Sequence, residues 1–298
     1  MNNLLDMVWV ELLKAIRSRV PLWTISGSLL MPSGMAFLMF LARNPKVSEK
    51  LGLVGAKARL MEYAGADWPT YLGLLGQIVA VGGFLLSTFV ISWVFGREFV
   101  DGTLKDILAV PVPRSSILLA KFMVAALWSA VLTIVILVAG LAGGAVIGLP
   151  GGSAAALVKG GGDVAVASCL VVAAVLPIAL PASVGRGYLL PIGAALFAVM
   201  MANLMVIVGL GEYFPWAVPA LYAQGKSSLT PFSYWIASLT GLAGVLATYV
   251  WWKFADQSRE TFTKRRTAAI SRVTRPPAYL TWGQSAQALL CSREEWSP

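Results

Sequence analysis

The stretch GREFVDGTLKDILAVPVPRSSILLAK, residues 96–121, is a polar island between two long apolar runs. It holds Arg97, Glu98, Asp101, Lys105, Asp106, Arg114 and Lys121, while the runs on either side hold no charge. Val100, Leu104, Ile107 and Leu108 recur at i, i+4, i+7 and i+8, the pattern of a helix with one apolar face. Asp101 and Lys105 form an oppositely charged i, i+4 pair on another face. Pro111 and Pro113 stop that helix, and Ser115 or Ser116 can cap the next one. The pattern predicts a short helix lying across a membrane surface and tied to both flanking runs. Two readings stay open on this pattern: a helix that a partner pushes on, or an amphipathic loop that rests on lipid headgroups.

The rest of the chain identifies the solvent as lipid. Of 298 residues, 58% are hydrophobic and only 12% charged, and the mean hydropathy is +0.76. A soluble domain carries about 25% charged residues. The net charge of +9 fits basic loops retained on the cytoplasmic side better than nucleic-acid binding. The absence of histidine removes most zinc-hydrolase and Ser-His-Asp chemistry. Cys169 falls in an apolar run and Cys291 in the polar tail, which argues against a disulfide.

Hydropathy predicts six spans, near residues 22–41, 71–95, 122–149, 164–184, 189–210 and 232–252, each about 20 residues or longer. The fold class expected is all-α, a polytopic membrane protein in three parts. Residues 1–21 form an N-terminal interfacial helix, 22–252 the six-helix domain, and 253–298 a basic cytoplasmic tail. In the first part Leu5, Trp9, Leu12, Leu13 and Ile16 share one face, with Asp6, Lys14 and Arg17 on others, as in helices that lie in the headgroup plane.

With the N-terminus inside, cytoplasmic segments carry 16 of the 23 Lys and Arg residues, so both termini are expected in the cytoplasm. On the outer side, residues 42–70 have room for a short surface helix, and glycine-rich 150–163 reads as a flexible loop. Residues 211–231 mix Tyr213, Phe214, Trp216 and Tyr222 with Pro215, Pro219 and Pro231. That mixture predicts broken or re-entrant helical pieces at headgroup level.

As drawn, the spans contain no ionisable residue. Ion-coupled carriers usually need such groups at membrane depth, so an external energy source is expected. The alternatives are a secondary transporter or channel and a non-transporting membrane scaffold. Polar groups in the spans, such as Ser87, Thr133 and Ser168, are expected to join helices. Gln77 and Asn203 are the candidates for contact with a transported molecule. Gly225-Lys226-Ser227 resembles half of a P-loop, but Ala220 stands where its first glycine is required.

Glu98-Phe99, Gly102-Thr103-Leu104-Lys105, Leu108, Pro111-Val112-Pro113-Arg114 and Lys121 resemble the E-[FY]-x-x-G-T-[LW]-[KR]…L…P-[VI]-x-R…K signature of ABC-2 type ABC transporter permeases. Pro113 departs from the family's usual Ser or Thr. Glu11-Leu12, Lys14 and Arg17, next to Trp9, are similar to that family's N-terminal E-L-x-K-x-x-R. The resemblance covers residues 1 to about 260. It implies an elbow helix at the N-terminus and a coupling helix in the 96–121 loop. Glu98, Val100, Gly102, Thr103, Leu104, Lys105, Ile107, Leu108, Pro111 and Arg114 would then meet a separate ABC ATPase. It further implies two ATPase copies, a second permease copy, and ATP and magnesium bound by the ATPase rather than by this chain. The expected place is the plasma (inner) membrane and the expected work is export of an antibiotic, peptide or lipid.

Overall fold

The computed structural model describes residues 3–50, 67–103, 112–225 and 229–273. These residues are helical, with no strand among them. An amphipathic helix α1 (Asn3–Ile16) precedes the first span, α2 (Val20–Arg43), and a short α3 (Pro45–Lys50) follows it. The second span is α4 (Trp68–Ile78), a π-turn (Val79–Gly83) and α5 (Phe84–Val100) in one run. Next come α6 (Arg114–Ile147), α7 (Ala154–Val175), a 3₁₀ turn (Leu176–Ile178) and α8 (Ala179–Gly185). The series closes with α9 (Leu189–Ile207), the short α10 (Val218–Ala223) and α11 (Pro231–Val273). Six of these runs are long and apolar enough to cross a membrane: Val20–Arg43, Trp68–Val100, Arg114–Ile147, Ala154–Gly185, Leu189–Ile207 and Pro231–Phe254.

The second span is the axis of the bundle up to Trp251. Its most apolar window is 67% buried, against 22% for the first, third and fifth. Tyr71, Leu72, Leu75 and Val79 pack with Met39, Ile136, Leu149 and Val164 from the first, third and fourth spans. Tyr71, fully buried, donates from its hydroxyl to the Gly140 carbonyl at 2.9 Å. Asp67 starts the span as its N-cap and accepts from the Thr70 amide at 3.0 Å. That bond holds the Asp67 carboxyl below its ordinary range.

One sequence expectation is corrected. The glycine-rich 150–163 stretch is not a flexible loop: α7 begins at Ala154, capped by Ser153, and runs through Gly160, Gly161 and Gly162. The low helix propensity of glycine weakens in a membrane span, where small residues let backbones approach. A Cβ on Gly160 would meet Leu72 at 2.5 Å. The spans as drawn from the sequence stay free of ionisable groups. Their helices extend past the apolar windows and take in Arg97 and Glu98, Lys121, and Lys159 and Asp163.

Residues 211–231 do contain broken pieces, a 3₁₀ turn (Gly211–Tyr213) and α10. Val218 and Leu221 of α10 are buried, and α10 packs on α7 and α4. Trp216 donates its indole N–H to the Ala174 carbonyl at 3.0 Å, beside the Pro177 interruption of the fourth span. At the same interruption Gly241 and Gly244 of α11 lie against the backbone of Ala173 and Pro177. A six-residue helix, α3, occupies the start of the 42–70 segment.

Candidate functional site

Four charged side chains from three helices meet where the second span ends and the third begins. α1 supplies Glu11 and Lys14, one turn apart and so on one face. Glu98 stands in the last turn of α5 and Lys121 in the second turn of α6. Lys121 is fully buried, and Glu11 and Glu98 are each 3% exposed. The Lys121 ammonium donates to Glu98 Oε1 at 2.7 Å, to the Val94 carbonyl at 2.9 Å and to Glu11 Oε2 at 3.4 Å. Lys14 closes the ring, 2.7 Å from Glu11 Oε1 and 3.4 Å from Glu98 Oε1.

The arrangement is electrically closed, with two carboxylates and two ammonium groups. A lysine has three N–H donors, and all three of Lys121 find an acceptor. Removing one member would leave a buried charge uncompensated, a loss of about 3–5 kcal/mol for a buried pair. Glu98 Oε2 is buried without a hydrogen-bond partner among the described residues. α1 is therefore latched to the bundle by charge. Its Leu5, Trp9 and Ile16 remain exposed, as an interfacial helix requires.

Just outside this latch, Arg97 pairs with Asp101 at 2.9 Å and lies over the Trp93 ring at 5.0 Å. Gly96 is buried against the turn between the fourth and fifth spans. A Cβ there would sit 3.2 Å from the Gly187 carbonyl oxygen and 3.2 Å from the Tyr188 ring. The second span thus touches α1, α6 and the 185–188 turn within its last two turns.

The expected partner-contact residues divide into three groups. Leu104, Lys105, Ile107, Leu108 and Pro111 lie outside the described residues. Val100, Gly102, Thr103 and Arg114 are exposed at either edge of that segment. Glu98 is a correction: its carboxylate points into the bundle and pairs with lysines, so it is not available to an outside surface. In α1, Glu11 and Lys14 join the latch, Leu12 is half-buried, and Trp9 and Arg17 are exposed. Lys121, which the sequence placed only as the last letter of a motif, is the centre of the site. The signal for it was present. The two motifs carry Glu11, Lys14, Glu98 and Lys121, opposite charges in equal number beside apolar runs, where an unpaired charge is costly.

Gln77 and Asn203 are not brought together. Gln77 lines an apolar groove of about 600 Å³ with Leu30, Met35, Leu74 and Val81, between the first and second spans. Asn203 is exposed on α9, and its side-chain amide donates back to the Val199 carbonyl at 2.8 Å.

The latch joins Glu11 and Lys14 of the N-terminal motif to Glu98 and Lys121 of the loop motif. The pattern of the ABC-2 family transporter protein matches residues 7–203. The chain belongs to the ABC-2 transporter permeases. It is also 28% identical over 185 residues to the bacitracin transport permease protein BCRB of Bacillus licheniformis, an alignment that spans 60% of this chain and 88% of that one. No solved structure matches. The protein is thus a multi-pass membrane permease subunit.

Proposed function

We propose that this permease is the membrane half of an ATP-driven exporter of an amphipathic antibiotic, peptide or lipid. The observation that carries this reading is the latch, which ties together an interfacial helix and the two span ends that flank residues 104–111 in the chain. A push on that segment would move α1, the second span and the third span together. Two copies of a separate ABC ATPase supply the push by binding ATP and magnesium, and this chain binds neither. A second copy of the permease completes the path, and both termini lie in the cytoplasm. The similarity to a bacitracin transport permease supports a peptide antibiotic as the first cargo to test.

The test is reconstitution of the permease with the ATPase encoded beside it, with bacitracin-stimulated ATP hydrolysis as the readout. Glu98→Gln should leave the two proteins associated and reduce stimulation about tenfold, the effect of losing one charge-assisted bond. Unchanged stimulation in Glu98→Gln, or the absence of any ATPase that associates, would remove this reading.

A further inference from the structure

The far end of the second span holds a second polar constellation, which the latch does not use. A groove of about 470 Å³ opens between α4, α7 and α10. Its apolar floor includes Leu72 and Val164, and its polar rim is Lys159, Asp163, Tyr222 and Gln224. Gly73 keeps part of the floor open, because a Cβ there would meet nothing within 4 Å. Lys159 and Asp163 are i, i+4 on α7, a spacing at which opposite charges usually pair on a helix. Among the described residues neither has an ion-pair partner. The Tyr222 hydroxyl donates to Asp163 Oδ1 at 3.3 Å and so fixes the carboxylate toward the groove. Partial burial, and then the neighbouring Asp163 charge, push the Tyr222 phenol above its ordinary range, so it remains a neutral donor.

We infer that this groove binds the headgroup of a zwitterionic phospholipid with a primary ammonium. The groove presents a cation, Lys159, and an anion, Asp163, held by Tyr222, to one ligand above an apolar floor. Lys159 and the Gln224 amide suit a phosphate, and Asp163 suits an ammonium that can donate hydrogen bonds. The depth is also right. Groove residues 69–76 lie more than twenty residues before Glu98 along one helical run, on the order of 35 Å at 1.5 Å per residue. Hydrocarbon is about 30 Å thick, so a groove at that distance from the latch stands at the opposite headgroup layer. The volume is that of a small-ligand site. This inference needs only the membrane-spanning bundle and is independent of cargo and ATPase.

The experiment places the purified permease in nanodiscs of phosphatidylglycerol with a minor fraction of phosphatidylethanolamine or phosphatidylcholine, and measures retained lipid by native mass spectrometry. The wild type should retain phosphatidylethanolamine over both other lipids. Lys159→Gln and Asp163→Asn should each lower that retention about tenfold, as expected for a lost charge-assisted bond, with the melting temperature unchanged because both side chains are exposed. The exchange Lys159→Asp with Asp163→Lys keeps one charge of each sign and should restore part of the retention. Equal retention in the single variants overturns the inference. So does phosphatidylcholine or phosphatidylglycerol held as well as phosphatidylethanolamine, the second of which would mark a general anion site. Headgroup selectivity is read without ATP, so a failure of export leaves this result standing and the reverse also holds.

Discussion

Glu98 shows how one residue can carry a motif for a reason other than the obvious one. A charged residue in a polar loop reads as a surface group, and its helix continues one turn further into protein than hydropathy suggests. There it meets Lys121 at 2.7 Å. Lys121→Met should therefore be among the most damaging single changes, costing about 3–5 kcal/mol and lowering the melting temperature of the detergent-solubilised permease. A surface lysine such as Lys46, which is exposed, should tolerate the same change within about 0.5 kcal/mol. A melting curve for each variant compares the two. The Glu11–Lys14 pair follows from its i, i+3 spacing, but neither acid could be assigned to Lys121 from sequence, because Glu11 and Lys121 are 110 positions apart and no periodicity links them.

At the level of helices, the sequence was most legible where hydropathy alone decides. All six spans were anticipated, because about 20 apolar residues in lipid have few alternatives to a helix. Their ends were less legible, since a helix does not stop where hydrocarbon stops. α6 starts at Arg114, well before the apolar window, with Pro113 as its N-cap residue. The glycines of α7 misled for a related reason, because their effect depends on neighbours that sequence does not show. The same logic applies to Gly241 of α11, where an added Cβ would fall 2.7 Å from the Ala173 carbonyl oxygen. Backbone cannot yield as a flexible side chain can. Gly241→Leu should force α11 away from the fourth span at about 1–3 kcal/mol, the usual cost of overpacking, whereas Leu239→Ala on the exposed side should be near neutral. Detergent-resistance melts measure both.

For the whole molecule, the charge distribution predicts which end faces which side. On the expected topology the latch-side segments carry 16 of the 23 Lys and Arg residues, and the groove-side segments carry seven, Arg43, Lys46, Lys50 and Lys159 among them. Retention of basic residues in the cytoplasm would put the latch inside and the groove outside. Cysteine labelling tests this with Cys169 and Cys291 replaced by Ser. In intact cells a membrane-impermeant maleimide should modify the Lys159→Cys variant and spare Arg186→Cys, and the opposite pattern would invert the proposed topology.

The latch also sets an order on assembly. Glu11 and Lys14 are among the first residues made, yet the ammonium that neutralises both carboxylates belongs to the third span. Until α6 is in place, Glu11 has Lys14 beside it but lacks the buried donor that makes its position within the bundle affordable. The first helix must therefore wait at the headgroups while two further crossings are completed. Its docking reports that the second and third spans have met in register, so the earliest segment of the chain is secured only after segments made later.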